Sequence, residues 1–244
     1  MRILVVNVNT TESMTEQIGT QARRHAAPGT EIMALTPFFG AESCGGNLDS
    51  YLAAVAVIDR VLAFDEPYDG VIQAGFGEHG REALQEVCDV PVVDITDAAA
   101  HLACLLGRRY SVLTTIERTV GLIEDRLLLA GVDRHCASVR ATGVEVLELG
   151  EHRTRTLEIL IEHARAALQQ DRAEVICLGC AGMADFADDL HAAVGAPVID
   201  GISAAVKLVE ALHVLGLSTS KVGGYAPPVP KARRGWPLHV AANP

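Results

Sequence analysis

The chain has 244 residues, is 49% hydrophobic and 4% aromatic, and carries a formal net charge of −11. That is enough apolar material for one sizeable core or two small ones, and the acidic balance excludes a nucleic-acid partner, whose phosphates need a concentrated basic surface. No apolar run approaches the roughly 20 residues that span a bilayer, so no membrane partner is expected, and the one basic cluster, Lys231, Arg233 and Arg234, reads as a solvated tail.

The first strand-like run, residues 3–6, follows Met1 and Arg2 without a signal-peptide pattern, which points to the cytoplasm. It ends in the polar turn Asn7-Val8-Asn9-Thr10-Thr11 and is followed by a helix over 13–26, with a capping-box pattern at Ser13 and Glu16. Next come a helix over 52–63, a strand over 70–72, a glycine-rich turn at 75–80, a helix over 80–87 and a strand over 90–93. A helix over 98–106 leads to a strand over 111–113, which runs into Thr114 and Thr115 and then a helix over 119–130. After a helix over 154–170, a strand over 175–178, the turn 179–182, a helix over 183–194, a strand over 196–199 and a helix over 203–215 complete the pattern. From Ser218 onward, Gly223-Gly224 and Pro227-Pro228 signal turns and extended chain. Buried runs alternating with helices predict parallel sheets flanked by helices, an α/β fold.

Two stretches repeat. Ala74-Gly75-Phe76-Gly77, a helix and Pro91-Val92-Val93-Asp94 return as Gly179-Cys180-Ala181-Gly182, a helix and Pro197-Val198-Ile199-Asp200. Such a repeat predicts two pseudo-symmetric α/β lobes with a site in the cleft between them. The first lobe is expected over 1–95 plus about 205–244, the second over 96–204. Ligands of parallel α/β units gather where strands end in turns that expose N–H groups, so Asn9, Thr10, Gly75, Phe76, Gly77, Thr114, Thr115, Gly179, Ala181 and Gly182 are the candidate substrate-binding residues. Gly75, Gly77 and Gly80 satisfy G-x-G-x-x-G spacing, but the acidic partner would be Asp94 or Asp97, and the repeat explains those positions more simply.

Six cysteines at irregular spacings read as free thiols. Cys180, after a buried strand and at a helix start, is the catalytic candidate, because the helix dipole and N–H donors there favour a thiolate. Cys177 faces the other way on its strand, which argues against a redox or metal pair with Cys180, and no metal site is expected. Cys44, within Ser43-Cys44-Gly45-Gly46, is an outside candidate for the cleft. The repeat pairs Cys180 with Gly75, so one half lacks a thiol.

With Asn7-Val8-Asn9-Thr10-Thr11, the Phe76-Gly77 turn, Ala98-Ala99-Ala100-His101, Leu178-Gly179-Cys180-Ala181-Gly182-Met183 and Thr219-Ser220-Lys221 with Tyr225, the chain resembles the aspartate/glutamate/hydantoin racemase superfamily. The resemblance is nearest to the hydantoin and allantoin racemase branch. It implies a cofactor-independent, self-associating enzyme that uses two cysteines, one on each face of a small-molecule substrate, to move a proton beside a carbonyl. Cys180 matches the second family cysteine, and Gly75 stands at the position of the first. Glu78-His79 stand where the branch usually has Asp-Pro, and Val8 where it has proline.

A racemase, epimerase or isomerase of a hydantoin-like ring or amino-acid derivative is therefore expected, passing through an enolate-like intermediate. Cys180 would be one acid/base, and His79, Glu78 or water the substitute for the other. The pKa of about 6.5 usual for histidine suits His79 to that task. Two alternatives stand beside this reading. Arylmalonate decarboxylases, which the chain resembles in pairing a glycine with one cysteine, protonate a carbanion from a single face, and N–H groups near Gly75, Phe76 and Ala181 with the Thr114 and Thr115 hydroxyls would hold the enolate oxygen. A silent ligand-binding protein is the other. Gly75→Cys is expected to create or greatly raise racemisation if the cleft geometry persists.

Overall fold

A computed structural model describes residues 1–149 and 152–232; Arg233 and Arg234 of the basic cluster lie outside the described residues. The strands are β1 (Arg2–Val6), β2 (Glu31–Leu35), β3 (Gly70–Gln73), β4 (Val92–Asp94), β5 (Tyr110–Thr114), β6 (Cys136–Ala141), β7 (Val175–Leu178) and β8 (Val198–Asp200). They form two four-stranded sheets, β2-β1-β3-β4 and β6-β5-β7-β8, in which every pairing is parallel. The two orders are the same when the second set is counted from β5, which is the predicted repeat expressed as topology.

The helices are α1 (Glu12–His25), α2 (Asn47–Leu62), α3 (Arg81–Val87), α4 (Ile95–Leu106), α5 (Val120–Leu129), α6 (Arg153–Gln170), α7 (Ala187–Val194) and α8 (Gly201–Val214). The central strands are buried throughout, with Ile3, Val5, Ile72, Val112, Val175 and Cys177 meeting helix residues such as Ala98, Ala99, Ala103, Ala205 and Val209 in one continuous core. Alanine-rich α4 and α8 pack on each other, and the small side chains allow that close approach.

Each of these helices starts directly on the last strand of its sheet. The Asp94 carboxylate accepts from Asp97 N at 2.8 Å, and the Asp200 carboxylate accepts from Ser203 N at 2.8 Å, the same N-cap twice. Helix α4 then lies against β7 and β8 of the second sheet, while α8 lies against β3 and β4 of the first. The helices therefore cross between the sheets and hold the two sets of strand ends facing one cleft.

Several expectations need correction. Strands β2 and β6 are additions to the expected set: β6 has no continuous apolar run, and that of β2, residues 32–35, is short. Helix α1 begins at Glu12 after Thr11, with no side-chain cap, so the Ser13 and Glu16 box does not form. Helix α2 begins at Asn47, α4 at Ile95 and α8 at Gly201, all earlier than their patterns suggested. The stretch after Cys180 is a 3-10 turn, Ala181–Phe186, before α7. Beyond α8, Thr219 Oγ1 donates to Val90 O at 2.9 Å and Lys221 Nζ to Gln85 O at 2.6 Å, which ties this segment to α3 and the approach to β4.

Candidate active site

The carboxyl ends of β1, β3, β5 and β7 surround a small cavity of about 50 Å³, lined by Asn7, Asn9, Gly75, Phe76, His79, Thr114, Thr115, Gly179, Cys180 and Ala181 among others. Its size falls well short of the roughly 300 Å³ at which drug-sized ligand pockets begin, which leaves no room for a dinucleotide and suits a small ring.

Close backbone packing places Cys180. Gly179 N donates to Leu113 O at 2.7 Å, and a Cβ on Gly179 would lie 2.8 Å from that carbonyl, so only glycine lets β7 turn here against β5. Cys180 follows in extended conformation, and its carbonyl accepts from Met183 N at 3.0 Å to start the 3-10 turn. Burial pushes the Cys180 thiol up to about 11, although the backbone at Gly182 and Met183 acts to lower it. The expectation of a resting thiolate is thus corrected: desolvation outweighs the turn's N–H groups, and the group rests as a thiol.

The first turn is held by its own amides. Asn7 Nδ2 donates to Asn9 Oδ1 at 2.9 Å and to Thr15 Oγ1 at 3.0 Å, and Asn7 Oδ1 accepts from Val8 N at 2.7 Å. Asn7 was not singled out from the sequence, although it both shapes this turn and lines the cavity. Thr10 does not line it. Its N–H and hydroxyl go to Ala41 O at 3.0 and 3.2 Å, which pins the segment 40–46 over the site.

That segment brings in a residue given only an outside chance. Cys44 lines the cavity, and its thiol donates to Val8 O at 3.3 Å. Burial first, then Asp49 and Cys180, push it up to about 12.

Gly75 has no space beside it. A Cβ at residue 75 would lie 2.5 Å from Val8 Cγ1 and 2.7 Å from Gln73 Nε2, with His79 Cδ2 closer than either. Three of the four positions read from the sequence as departures from the racemase pattern, Val8, Gly75 and His79, therefore form one packing unit. The expectation that Gly75→Cys restores a thiol is corrected accordingly.

His79 is 5% exposed, and burial lowers its pKa to about 4 against smaller opposing contributions from the backbone of Ser50 and Phe76. Neither contact gives Nδ1 a hydrogen bond of acceptable geometry, and that atom is buried without a partner, as are both polar atoms of the Gln73 amide. A neutral imidazole of this kind is a much weaker base than the one expected.

Glu78 is corrected as well. Its carboxylate pairs with Arg126 at 3.0 Å and accepts from Gly80 N at 2.9 Å, away from the cavity lining. Arg126 on α5 is fully buried and also reaches Glu82 at 2.6 Å, Asp94 at 3.1 Å and Asp97 at 2.9 Å. This cluster fastens the turn after β3 to a helix of the other sheet. Gly77 serves the same turn, at φ 130° and with its N–H donated to Thr96 Oγ1 at 2.8 Å. Gly182 does not line the cavity, and a Cβ there would lie 3.8 Å from Cys180 Sγ.

Thr114 and Thr115 both line the cavity. Thr119 Oγ1 donates to Ile116 O at 2.8 Å, so the 2.9 Å contact between the Thr114 and Thr119 hydroxyls uses the Thr114 proton. Thr114 therefore presents lone pairs rather than a donor, and of the two threonines Thr115 remains as the candidate donor to an enolate oxygen.

All six cysteines are free thiols. No group of three or more His, Cys, Asp or Glu residues among the described residues could hold a metal ion, and no helix among them is long and apolar enough to cross a membrane.

Two like sheets whose glycine turns face a shared cavity with a thiol at one turn define the class, and comparison with known proteins agrees. The Asp/Glu/Hydantoin racemase family model matches residues 3–209. The hydantoin racemase of Pseudomonas sp. (strain NS671) is 38% identical over 95% of this chain and 93% of its own. The crystal structure of allantoin racemase from Pseudomonas fluorescens is 60% identical with a TM-score of 0.95, covering 96% of this chain and 100% of that one. The allantoin racemase from Klebsiella pneumoniae is 41% identical with a TM-score of 0.93, covering 98% of both chains. The chain belongs to the Asp/Glu/hydantoin racemase family.

Proposed function

We propose that this protein is a cofactor-independent racemase of hydantoin-like cyclic ureides, allantoin among them, with Cys180 as an acid/base at the carbon beside the carbonyl. The observation that carries the reading is the placement of Cys180 at the end of β7, its thiol in a small cavity ringed by turn residues of both sheets. The high identity to allantoin racemase and the size of the cavity support a five-membered ring as substrate.

In this reading the Cys180 thiolate removes the ring proton, and the electron pair delocalises onto the adjacent carbonyl oxygen. The N–H groups of the turns at Phe76 and Ala181 and the Thr115 hydroxyl stabilise that oxygen. Protonation from the opposite face inverts the centre; return from the same face restores it. The protein acts on a small molecule, in the cytoplasm, as a self-associating enzyme.

One-cysteine decarboxylation is the second reading, favoured by the glycine at residue 75. It needs room for a departing carboxylate on that side, which Val8 and His79 fill, and so it ranks below racemisation.

Proton NMR in deuterium oxide with enantiopure 5-methylhydantoin, allantoin and an arylmalonate tests both, with wild type compared to Cys180→Ala. Cys180-dependent α-deuteration with inversion supports the racemase, and loss of carbon dioxide from the arylmalonate supports the second reading. A wild type inert toward all three sinks both.

A further inference from the structure

Among the described residues, the titratable groups lining the cavity are Cys44, His79 and Cys180. A second proton carrier cannot come from residue 75, where no side chain fits, or from Glu78, which Arg126 holds outside. We propose that the Cys44 thiol is the second acid/base of the site, delivering and removing the proton on the face of the ring opposite Cys180. The inference rests on the racemase reading above and names the group that reading lacks.

Three observations carry it. The two thiols enter the cavity from different sheets. Cys180 extends from β7, whereas Cys44 is bonded to the carbonyl of Val8, just beyond β1, at 3.3 Å. The Val8 side chain in turn fills the space beside Gly75, so Cys44 stands on the wall that Gly75 leaves without a functional group. Second, the Cys44 thiol is the hydrogen-bond donor in that contact, so it is held in the acid form, ready to protonate a carbanion. The charges of the two sulfurs also act on each other, so that once one has become a thiolate the other is held as a thiol.

The third observation is the buried His79, which lines the same cavity with Nδ1 unpartnered, beside a Gln73 amide whose polar atoms are also unpartnered. Buried polar groups are normally satisfied, so the unpartnered His79 Nδ1 leaves this wall of the cavity with hydrogen-bonding capacity that the protein itself does not use. Together with Cys44 they describe a built site rather than an isolated thiol.

The step balances without a co-reactant. The Cys180 thiolate takes the ring proton as the C–H bond breaks; the electron pair moves onto the carbonyl oxygen. The Cys44 S–H bond then breaks as its proton forms the new C–H bond on the other face. Cys180 ends as thiol and Cys44 as thiolate, and the opposite enantiomer runs the sequence in reverse.

The test compares wild type, Cys44→Ala, Cys44→Ser and Cys180→Ala with each enantiomer of 5-methylhydantoin in deuterium oxide. Deuterium incorporation is read by NMR and inversion by circular dichroism, with thermal unfolding of each variant confirming the fold. Cys44→Ala is expected to lose at least about 100-fold in inversion, a usual range for an acid/base group. It should retain exchange of the one enantiomer that Cys180 deprotonates, and Cys180→Ala should retain exchange of the other. A folded Cys44→Ala that inverts at the wild-type rate, or that loses exchange of both enantiomers alike, overturns the assignment. A wild type that neither exchanges nor inverts removes the racemase reading and this proposal with it, a result distinguishable from failure of Cys44 alone.

Discussion

The imidazole of His79 occupies the volume that a side chain at residue 75 would need, with Val8 Cγ1 closing the remainder at 2.5 Å from the position of a Cβ. Gly75→Cys alone is therefore expected to cost about 1–3 kcal/mol of stability through overpacking and to leave racemisation no higher than wild type. Adding Val8→Ala and His79→Ala should recover part of that loss, because the two substitutions remove the nearest colliding atoms and leave Gln73 Nε2, at 2.7 Å, to shift. Denaturant unfolding of the single and triple variants checks this; equal stability of wild type and Gly75→Cys would contradict the packing.

The Cys180 thiol, pushed up to about 11 by burial, sets a pH dependence. Deprotonation of the substrate uses the thiolate, whose population rises tenfold per pH unit below its pKa, so kcat/KM should climb through neutral pH toward a plateau near 11. Initial rates of deuterium exchange between pH 6 and 10 measure it. A plateau already reached at pH 8 would show that substrate or another charge lowers the thiol far more than the free site does.

His79 makes stability itself pH-dependent. Its folded pKa of about 4 lies below the ordinary histidine value of 6.5, because burial disfavours the charged ring. Above 6.5 both states are neutral and the group has no effect. As pH falls from 6.5 to 4 the unfolded chain binds a proton that the folded chain refuses, which costs the native state up to about 3 kcal/mol. Wild type should therefore lose stability relative to His79→Gln over that window, and identical pH–stability curves would rule it out. The comparison between variants matters because Asp94, raised to about 6 by burial and then by Asp97, has the opposite slope in the same range.

Arg126 is fully buried and bonded to carboxylates of Glu78, Glu82, Asp94 and Asp97. Arg126→Met leaves these charges uncompensated and is expected to destabilise the protein by about 3–5 kcal/mol. Arg126→Lys should recover part of the loss, since one ammonium replaces the charge but not the fork of donors. Urea unfolding resolves the series, and a loss under about 1 kcal/mol for Arg126→Met would mean that water reaches the carboxylates.

The repeated unit was legible in the sequence because its signals are local: short apolar runs, glycine turns and the Pro-x-x-Asp endings that become strands β4 and β8 with N-capping Asp94 and Asp200. Strands β2 and β6 escaped because they lie at the sheet edges. There all of Cys136–Ala141 is only half-buried and carries no continuous apolar run, while the run of β2, residues 32–35, is short and begins beside exposed Glu31. The glycine turns were readable as cleft walls for the same local reason. The roles of single side chains depend on long-range contacts instead: Cys44 arrives through a segment pinned by Thr10, Glu78 is diverted by an arginine 48 residues away, and His79 loses its basicity to burial. None of these has a local pattern to read.

The filled space at Gly75 also bears on how this chain can vary. A side chain can enter residue 75 only after Val8, His79 and Gln73 have given way, so a single substitution there is overpacked, whereas coordinated changes at these positions need not be.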